Sequence, residues 1–343
     1  MQALAVGLDI GKNWLHAVAV DREGRVQWRR KFARSEVGPF FANLAPALVG
    51  MECCGGASHW GRLLQELGHD ARLIAAQFVK PYRKSQKNDF NDAEAIAEAV
   101  TRQHMRFVPI ATIQQSDLQA IHRVREQLQA EAIRLGNQCR AFLRENGLVV
   151  SAGPERLLRS LPQLVADTDN ALSTRMRMLL QRLLLRLHAV LDERAQIDLL
   201  LKEEARSNDA CQRLMTVPGI GVIGATAIVA AVGNGQRFSK ARDLAAWIGL
   251  TPQQNSTGGK TKLGGISKRG NSYLRKVLVH GARSVLLQSH RHQDRMRRWV
   301  GALSERKHHN VTTCAISNKM ARIAWAVLRS GQAFDPAYRV RPA

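Results

Sequence analysis

The sequence predicts a chain of two structural classes, an α/β domain followed by all-α parts. Short apolar runs that alternate with helical patterns occupy the first third of the chain. Two leucine-rich runs of helical periodicity follow, and apolar helical stretches separated by glycine-rich turns complete the sequence. With 343 residues and 45% hydrophobic content we expect two or three cores, and we place the domains at residues 1–112, 113–206 and 207–343.

The first third predicts strands and helices in the order βββαβαβα. A turn at Gly11, Lys12 and Asn13 joins the first two strands into a hairpin. This order is that of a ribonuclease-H-like layer fold. The predicted strands cover residues 3–10, 14–20, 25–32, 46–51 and 70–75, and the predicted helices cover residues 36–44, 58–67 and 91–102.

Four acidic residues stand out in this layout. Asp9 lies inside an apolar strand, where a carboxylate is costly to bury unless it is paired or binds a metal. Glu52 ends a second apolar strand, and Asp89 and Asp92 are three residues apart at a helix start. Asp92 alone has a plainer interpretation as a first-turn acid, and Glu52 as a strand end. Together the four carboxylates (the tetrad) predict a site for two Mg²⁺ ions.

The middle of the chain carries two heptad-like runs, over residues 118–142 and 176–201. Each run has one arginine in its apolar seam, Arg125 and Arg194. Glycines, prolines and polar residues break the pattern over residues 147–175. The sequence predicts either an antiparallel helical hairpin within one chain or a coiled coil between subunits. We expect a homo-oligomer, a dimer that forms a tetramer on DNA.

The last third predicts further helices around two glycine-rich turns. Pro218, Gly219 and Gly221 form a turn between two apolar helical stretches, which is typical of a helix-hairpin-helix. That motif offers backbone N–H groups to a DNA phosphate without reading the sequence. An ordinary tight helix turn is the alternative. The other predicted helices cover residues 241–250, 272–287, 292–303 and 310–329.

Residues 252–276 predict a loop that binds phosphates. The loop is rich in glycine and hydroxyl groups, and no Asp or Glu occurs between residues 244 and 293. Its cations are Lys260, Lys262, Lys268, Arg269, Arg275 and Lys276. Ser256 has no carboxylate in the loop to activate it. It is therefore either a nucleophile activated from elsewhere, for which the tetrad is the candidate, or one of several phosphate contacts with Thr257, Thr261 and Ser267.

The charge of the chain points to a polyanionic partner. The net charge is +23, and residues 207–343 carry 22 basic and 5 acidic side chains, or +17. A basic membrane-surface face is the lesser alternative. The five cysteines lack a CxxC spacing, so neither zinc nor a disulfide framework is expected. No secretion signal or membrane-length apolar run is present, and we expect a cytoplasmic protein.

The motifs resemble those of insertion-sequence-110-type transposases over nearly the whole chain. The stretches GLDIGK, GMECCGGASHW and KNDFNDAEAIAEA, which hold the tetrad, resemble the family's DEDD, RuvC-like domain. The stretches LMTVPGIGVIGATAIVAAVG and AAWIGLTPQQNSTGGKTKLGGISKRGNSYLRKVLVHGARS resemble its C-terminal transposase domain, and indicate the branch named after insertion sequence 1111.

The resemblance implies a Mg²⁺-dependent DNA recombinase that acts on the ends of its own element and on a target. It assigns the metal ligands to Asp9, Glu52, Asp89 and Asp92, and the nucleophile, which forms a 5′-phosphoserine link, to Ser256. It also implies a structured guide RNA that supplies sequence specificity by base pairing, and an active site composed from two domains.

Three other functions fit parts of the sequence. The first is a Holliday-junction-resolvase-like Mg²⁺ nuclease in which water attacks the phosphate and Ser256 only binds it. The second is a sugar-kinase or actin-like ATPase, which leaves the +17 of the last third unexplained. The third is a nucleic-acid-binding protein whose catalytic site has decayed. The presence of all four acids and the serine counts against this alternative.

Overall fold

The computed structural model describes residues 5–84, 86, 88–291 and 294–337. The chain divides into two compact units, Met1–Gln114 and Gln115–Ala343. The first unit has a mixed α/β architecture and the second is mostly helical, so the predicted order of structural classes is confirmed. The finer division into three domains stays a prediction.

A six-stranded sheet in the order β3-β2-β1-β4-β5-β6 forms the centre of the first unit. Strands β1, β2 and β3 are antiparallel neighbours, β4 and β5 run parallel to β1, and β6 is antiparallel to β5. The strands are β1 Ala5–Ile10, β2 Trp14–Val20, β3 Val26–Ala33, β4 Leu48–Glu52, β5 Asp70–Ile74 and β6 Phe107–Val108. Residues 3–4 of the predicted first strand lie outside the described residues, and the two-residue β6 was not predicted.

Helices cover both faces of this sheet, because the strand side chains alternate between two apolar cores. Val6, Leu8 and Leu15 belong to a core that includes Phe41 of α1 and Trp60 of α2. The opposite face packs against α4, and we call it the α4 face. The helices are α1 Arg34–Ala42, α2 Ala57–Glu66, the short α3 Ala76–Val79 and α4 Asp89–Val100, with a 3₁₀ turn at Lys80–Tyr82.

Two glycines allow α4 to lie directly on the sheet. Gly7 of β1 and Gly50 of β4 are paired in register on neighbouring parallel strands. A Cβ atom on Gly7 would overlap the backbone of α4 at the Ala93 carbonyl oxygen, and one on Gly50 would lie 2.7 Å from Val100 Cβ. The sheet therefore has no side chains at this point to hold the helix away.

The second unit begins with long helices that pack against each other within one chain. Side chains of α5, α6 and α7 share one apolar core. Residues 125, 129 and 131 of α5 are hydrogen-bonded to residues 198, 194 and 186 of α7, so the two helices are antiparallel. The helices of this region are α5 Ile113–Glu145, α6 Pro154–Ala166 and α7 Thr174–Ser207.

The two arginines that interrupt the heptad runs have partners on the opposite helix. Arg125 Nε donates to Asp198 Oδ1 at 2.5 Å, and Arg194 Nη1 donates to Gln129 Oε1 at 2.8 Å. These contacts favour the intramolecular helical hairpin of the two arrangements that the sequence left open. Oligomerisation stays a prediction.

Shorter helices around a third core complete the second unit. Between two of them lies an antiparallel pair of strands, where the sequence predicted a loop, and this prediction was wrong. The elements are α8 Asp209–Met215, α9 Val222–Val232, α10 Ala241–Trp247, β7 Pro252–Thr257, β8 Lys260–Ile266, α11 Ser272–Leu287, α12 Arg295–Ser304 and α13 His309–Ser330.

The helix predicted over residues 292–303 begins at Arg295, because Asp294 caps its N-terminus by accepting from the Met296 and Arg297 amides. Residues 292–293 lie outside the described residues. Among the described residues, every helix is too short or too polar to span a bilayer.

Substituting Gly7 by alanine should displace α4 and destabilise the first unit. The added methyl group meets helix backbone rather than a flexible side chain, and overpacking of this kind costs about 1–3 kcal/mol or more. Gly38→Ala is the matched control, since its Cβ would meet only Leu63 Cδ2 at 3.9 Å. Thermal unfolding should show a clear loss for Gly7→Ala and no loss for Gly38→Ala. Equal stability of the two variants would contradict the close contact of α4.

Candidate active site

Asp9 and Glu52 lie at the carboxyl ends of neighbouring parallel strands. Leu8 of β1 pairs with Met51 of β4, and the next residues along the strands are Asp9 and Glu52. Because side chains alternate along a strand, Asp9 shares the face of Gly7, which is the α4 face. By the same alternation Glu52 shares the face of Gly50, so both carboxylates lie on the side covered by α4.

The N-terminus of α4 brings two further carboxylates to this edge. Asn88 caps the helix by accepting from the Asn91 amide, which starts it at Asp89. Asp89 and Asp92 therefore both fall in the first turn. Asp92 Oδ1 accepts a hydrogen bond of 3.0 Å from Arg83 Nη1, while Asp89 is largely exposed.

His16 joins the carboxylates, although the sequence analysis did not select it. It lies directly opposite Asp9 in the β1–β2 register. One ligand atom from each of Asp9, His16 and Asp89 lies within 4.8 Å of the other two. The signal was present in the sequence, because the short turn after Ile10 fixes the hairpin register and with it the partner of Asp9.

The site concentrates negative charge around one partly buried group. Burial, followed by the charges of Asp89, Asp92 and Glu52, raises the pKa of Asp9 from 3.8 to about 6. A cation that enters the cluster would stabilise the ionised form of this carboxyl group.

Ser256 lies on a hairpin in the second unit that projects from the helical core. The hairpin consists of β7, β8 and the turn Gly258-Gly259 (the serine hairpin), and both turn glycines have positive φ. All residues of β7 are exposed, as are those of β8 except Ile266, which is half-buried. Ser256 pairs with Thr261, and its Oγ accepts a hydrogen bond of 2.8 Å from Gln254 Nε2.

The Arg275 side chain contacts the backbone on both sides of the serine hairpin. Arg275 Nη1 donates to the carbonyl oxygens of Ile248 and Arg269, at 2.7 and 2.9 Å. Lys276 forms an ion pair with Glu126. These two predicted nucleic-acid contacts therefore have structural partners, whereas the other predicted cations are exposed on or beside the hairpin, namely Lys260, Lys262, Lys268 and Arg269.

The other predicted nucleic-acid contact is the turn between α8 and α9. Gly219 has a φ of +85°, and both Gly219 and Gly221 are exposed. Gly221 precedes α9 without a side-chain cap, so the first amides of that helix are open to an acceptor. A cleft of about 500 Å³ adjoins this turn and includes Arg297 and Ser284 in its lining. The identification of the turn as a helix-hairpin-helix stays a prediction.

Comparison with known proteins places the chain in one class, the transposases of insertion sequences. Residues 6–147 match the DEDD transposase model named for IS110. Residues 211–298 match a model described as the transposase IS116/IS110/IS902 family.

Full-length relatives identify the family. A probable family 20 transposase of Pseudomonas aeruginosa is 42% identical, over 98% of this chain and 100% of that protein. The transposase for insertion sequence element IS1328 of Yersinia enterocolitica is 39% identical, over 96% and 98%. The transposase for IS1111A of Coxiella burnetii is 40% identical, over 94% and 89%. The chain belongs to the IS110 family of transposases, as its motifs predicted.

The DEDD transposase domain implies a divalent metal, and the residues of the cluster fit one. Carboxylate oxygens are suitable ligands for hard cations, and an imidazole nitrogen suits several divalent metals. His16 Nδ1 is a buried nitrogen without a hydrogen-bond partner among the described residues, 3.4 Å from Asp89 Oδ2. Asp9, Asp89 and His16 would hold the ion, with Glu52 and Asp92 beside them.

The raised pKa of Asp9 predicts a pH-dependent stability. In the metal-free protein the folded state holds this proton more tightly than the unfolded chain, so the free energy of unfolding falls as pH rises from about 4 to 6. Asp9→Asn should stabilise the protein by roughly 1–2 kcal/mol near neutral pH, after allowance for partial solvation. The gain should shrink towards about pH 4.5.

Thermal unfolding in chelator-containing buffer across this pH range measures the effect. Glu23→Gln, which removes an exposed carboxylate in the β2–β3 turn, is the control. A loss of stability in Asp9→Asn at neutral pH would contradict the description of the site.

A divalent ion should stabilise the wild-type protein through the same residue. Mg²⁺ or Mn²⁺ at about one hundred times its Kd adds about 2.7 kcal/mol to the free energy of unfolding. The rise in unfolding temperature should disappear in Asp9→Asn. It should persist in Asp70→Asn, which removes a carboxylate that is paired with Arg72 outside the cluster. Equal metal-induced shifts in both variants would argue against a metal at the tetrad.

Proposed function

We propose that this transposase exchanges DNA strands in a Mg²⁺-dependent reaction through a covalent phosphoserine intermediate on Ser256. The observation that carries the proposal is the cluster of Asp9, Asp89 and His16 on the α4 face, in a chain that also presents Ser256 on an exposed, cation-rich hairpin. The strand order with β1 at the centre supports the ribonuclease-H-like, RuvC-like interpretation of the first unit.

The tetrad and the serine hairpin have complementary roles in this reaction. A divalent ion, when bound, would supply Lewis-acid stabilisation of the phosphate and would lower the pKa of a coordinated hydroxyl group. Asp9 and Asp89 hold the negative charge that binds such an ion. The serine hairpin contributes the hydroxyl group and cations, but no carboxylate. We infer that the reaction uses groups of both the tetrad and the serine hairpin.

The covalent step balances without any further reactant. Ser256 Oγ attacks a backbone phosphorus, an Oγ–P bond forms, and the bond from phosphorus to the 3′ oxygen breaks. The proton of Ser256 is transferred to the leaving 3′ oxygen, and the phosphate stays attached to the 5′ side as a phosphoserine. A 3′ hydroxyl group of the partner strand then attacks this phosphorus and the Oγ–P bond breaks. The proton of that hydroxyl group is transferred to Ser256 Oγ, which joins the strands and restores the serine.

The exposure of the serine hairpin supports a nucleic-acid partner. An isolated two-stranded hairpin is only marginally stable in water, and this one contributes little to the apolar core. Lys260 and Lys262 lie on β8 opposite Thr257 and Asn255, on the other face of the hairpin from Ser256 and Thr261. They add exposed positive charge next to the serine strand that can attract phosphates. The +17 charge of residues 207–343 favours binding of nucleic acid. We propose that the partners are the element ends, the target DNA and a structured guide RNA that recognises both DNA molecules by base pairing. We expect a homo-oligomer on this nucleic acid.

Trapping of the protein–DNA adduct tests the serine assignment. With DNA that carries an element end, wild-type protein should form an adduct that survives denaturing electrophoresis. Ser256→Ala should abolish the adduct and keep DNA affinity within about tenfold, because one neutral hydrogen bond contributes about 0.5–1.5 kcal/mol.

Thr257→Ala is the matched control for this experiment, since it removes the neighbouring hydroxyl group and should keep the adduct. An adduct that persists in Ser256→Ala would refute the assignment. Cleavage by the wild type without any adduct would favour the resolvase-like nuclease, in which water is the nucleophile.

A further inference from the structure

A row of three polar side chains crosses strands β1, β2 and β3 on the α4 face. The strand register pairs Asp9 with His16, and His16 with Lys31. Residues that are directly paired point to the same face of a sheet, so the three side chains lie next to one another. With neighbouring strands about 4.8 Å apart, the Cα atoms of Asp9 and Lys31 are separated by roughly 10 Å. The row continues the carboxylate cluster toward the edge of the sheet.

Trp14 lies beside this row and is half exposed. It begins β2 two residues before His16, so it shares the α4 face at about 7 Å along the strand. Trp14 is 47% exposed, whereas the other six residues of β2 are buried. Lys31 Nζ lies 4.4 Å from the centroid of its ring. The chain thus presents an aromatic surface with a cation at one end of the carboxylate cluster.

The exposure of one tryptophan does not by itself indicate a binding site. For Trp14 the charges of the neighbouring side chains supply the further argument. Without bound metal the tetrad repels a polyanion, so a cation nearby favours the approach of a nucleic-acid strand to Asp9. Arg29 and Arg83 are already bonded to Glu94 and Asp92, at 2.8 and 3.0 Å. Lys31 has no acidic partner among the residues that the structure describes. Its charge is therefore available to a phosphate.

We propose that Trp14 and Lys31 form a binding site for an unpaired DNA nucleotide next to the carboxylate cluster. The indole stacks on a base, and Lys31 binds the adjoining phosphate. Stacking on an aromatic ring tolerates every base, because each base has a π face. The Cα atom of Lys31 is roughly 10 Å from that of Asp9, a distance that a short unpaired segment of DNA can span. This inference rests on the proposed function, and it assigns the strand that enters the cluster to DNA.

Photocrosslinking of the full-length protein tests the contact directly. The probe is a single-stranded DNA of about 16 nucleotides that carries 5-iododeoxyuridine, and crosslinked peptides are identified by mass spectrometry. Trp14 should be crosslinked in the wild type. The crosslink should be kept in Trp14→Phe, which retains an aromatic ring, and lost in Trp14→Ala. Crosslinks that map only to other parts of the chain, such as the serine hairpin, would overturn the proposal.

The dependence of the Trp14 crosslink on DNA concentration gives the Kd of this site alone. Lys31→Gln should raise that Kd roughly fivefold and reduce the slope of log affinity against log salt by about 0.7, the value for one contact to a single strand. Arg22→Gln is the matched control, because it removes one exposed cation at the other end of the β2–β3 pair. An equal effect of both substitutions would show that Lys31 acts only through net charge.

The outcomes separate this inference from the proposed function. If the wild-type protein forms no adduct with DNA, the proposed function fails. If adducts form, Trp14 is not crosslinked and Trp14→Ala reacts at the wild-type rate, only the nucleotide site is refuted. A matching RNA probe with 5-iodouridine that crosslinks Trp14 while the DNA probe does not would also overturn the proposal, since the surface would then bind RNA.

Discussion

The direct contact between α4 and the backbone of β1 is the constraint on which the carboxylate site depends. Gly7 and Gly50 lie side by side on adjacent strands, and neither has a side chain that would hold the helix off the sheet. The helix therefore places its first turn, with Asp89 and Asp92, beside Asp9. A larger residue at Gly7 would move the helix and its carboxylates together. Packing in the middle of the first unit thus determines the geometry of the carboxylate cluster at the edge of the sheet.

Charge is separated along the chain in a way that suits a reaction on nucleic acid. The first unit gathers carboxylates around Asp9 until its pKa rises to about 6, an arrangement that favours a bound cation. The second unit carries a hairpin with Ser256 in a stretch of fifty residues, 244–293, that contains no acid. The hairpin provides a hydroxyl group and positive charge, and the cluster provides ligands for a metal. The proposed phosphoryl transfer would use groups of both kinds.

The sequence predicted the parts of the fold and site that depend on strong local patterns. The β1–β2 hairpin, the position of Asp9 within a strand, and the helical periodicity around Arg125 and Arg194 were all readable. His16 was missed because its role arises from cross-strand register and not from its neighbours in the chain. The serine hairpin was predicted as a loop because β7 has no large apolar residue and β8 contains two adjacent glycines, although Gly258-Gly259 is a typical two-residue hairpin turn. The contact of Gly7 with α4 is a tertiary feature that no local pattern reveals.

The most direct test of the central claim follows the oxygen atoms of the reacting phosphate. When serine is the nucleophile, the one bond to phosphorus that breaks passes from a DNA 3′ oxygen to Ser256 Oγ and then to another DNA 3′ oxygen, so no oxygen of water becomes bonded to phosphorus. Strand exchange by wild-type protein in ¹⁸O-labelled water should then give rejoined DNA whose phosphates contain no solvent oxygen, as mass spectrometry of the digested product would show. Solvent ¹⁸O in the 5′ phosphate of the cleaved strand would identify water as the attacking group and would contradict the account.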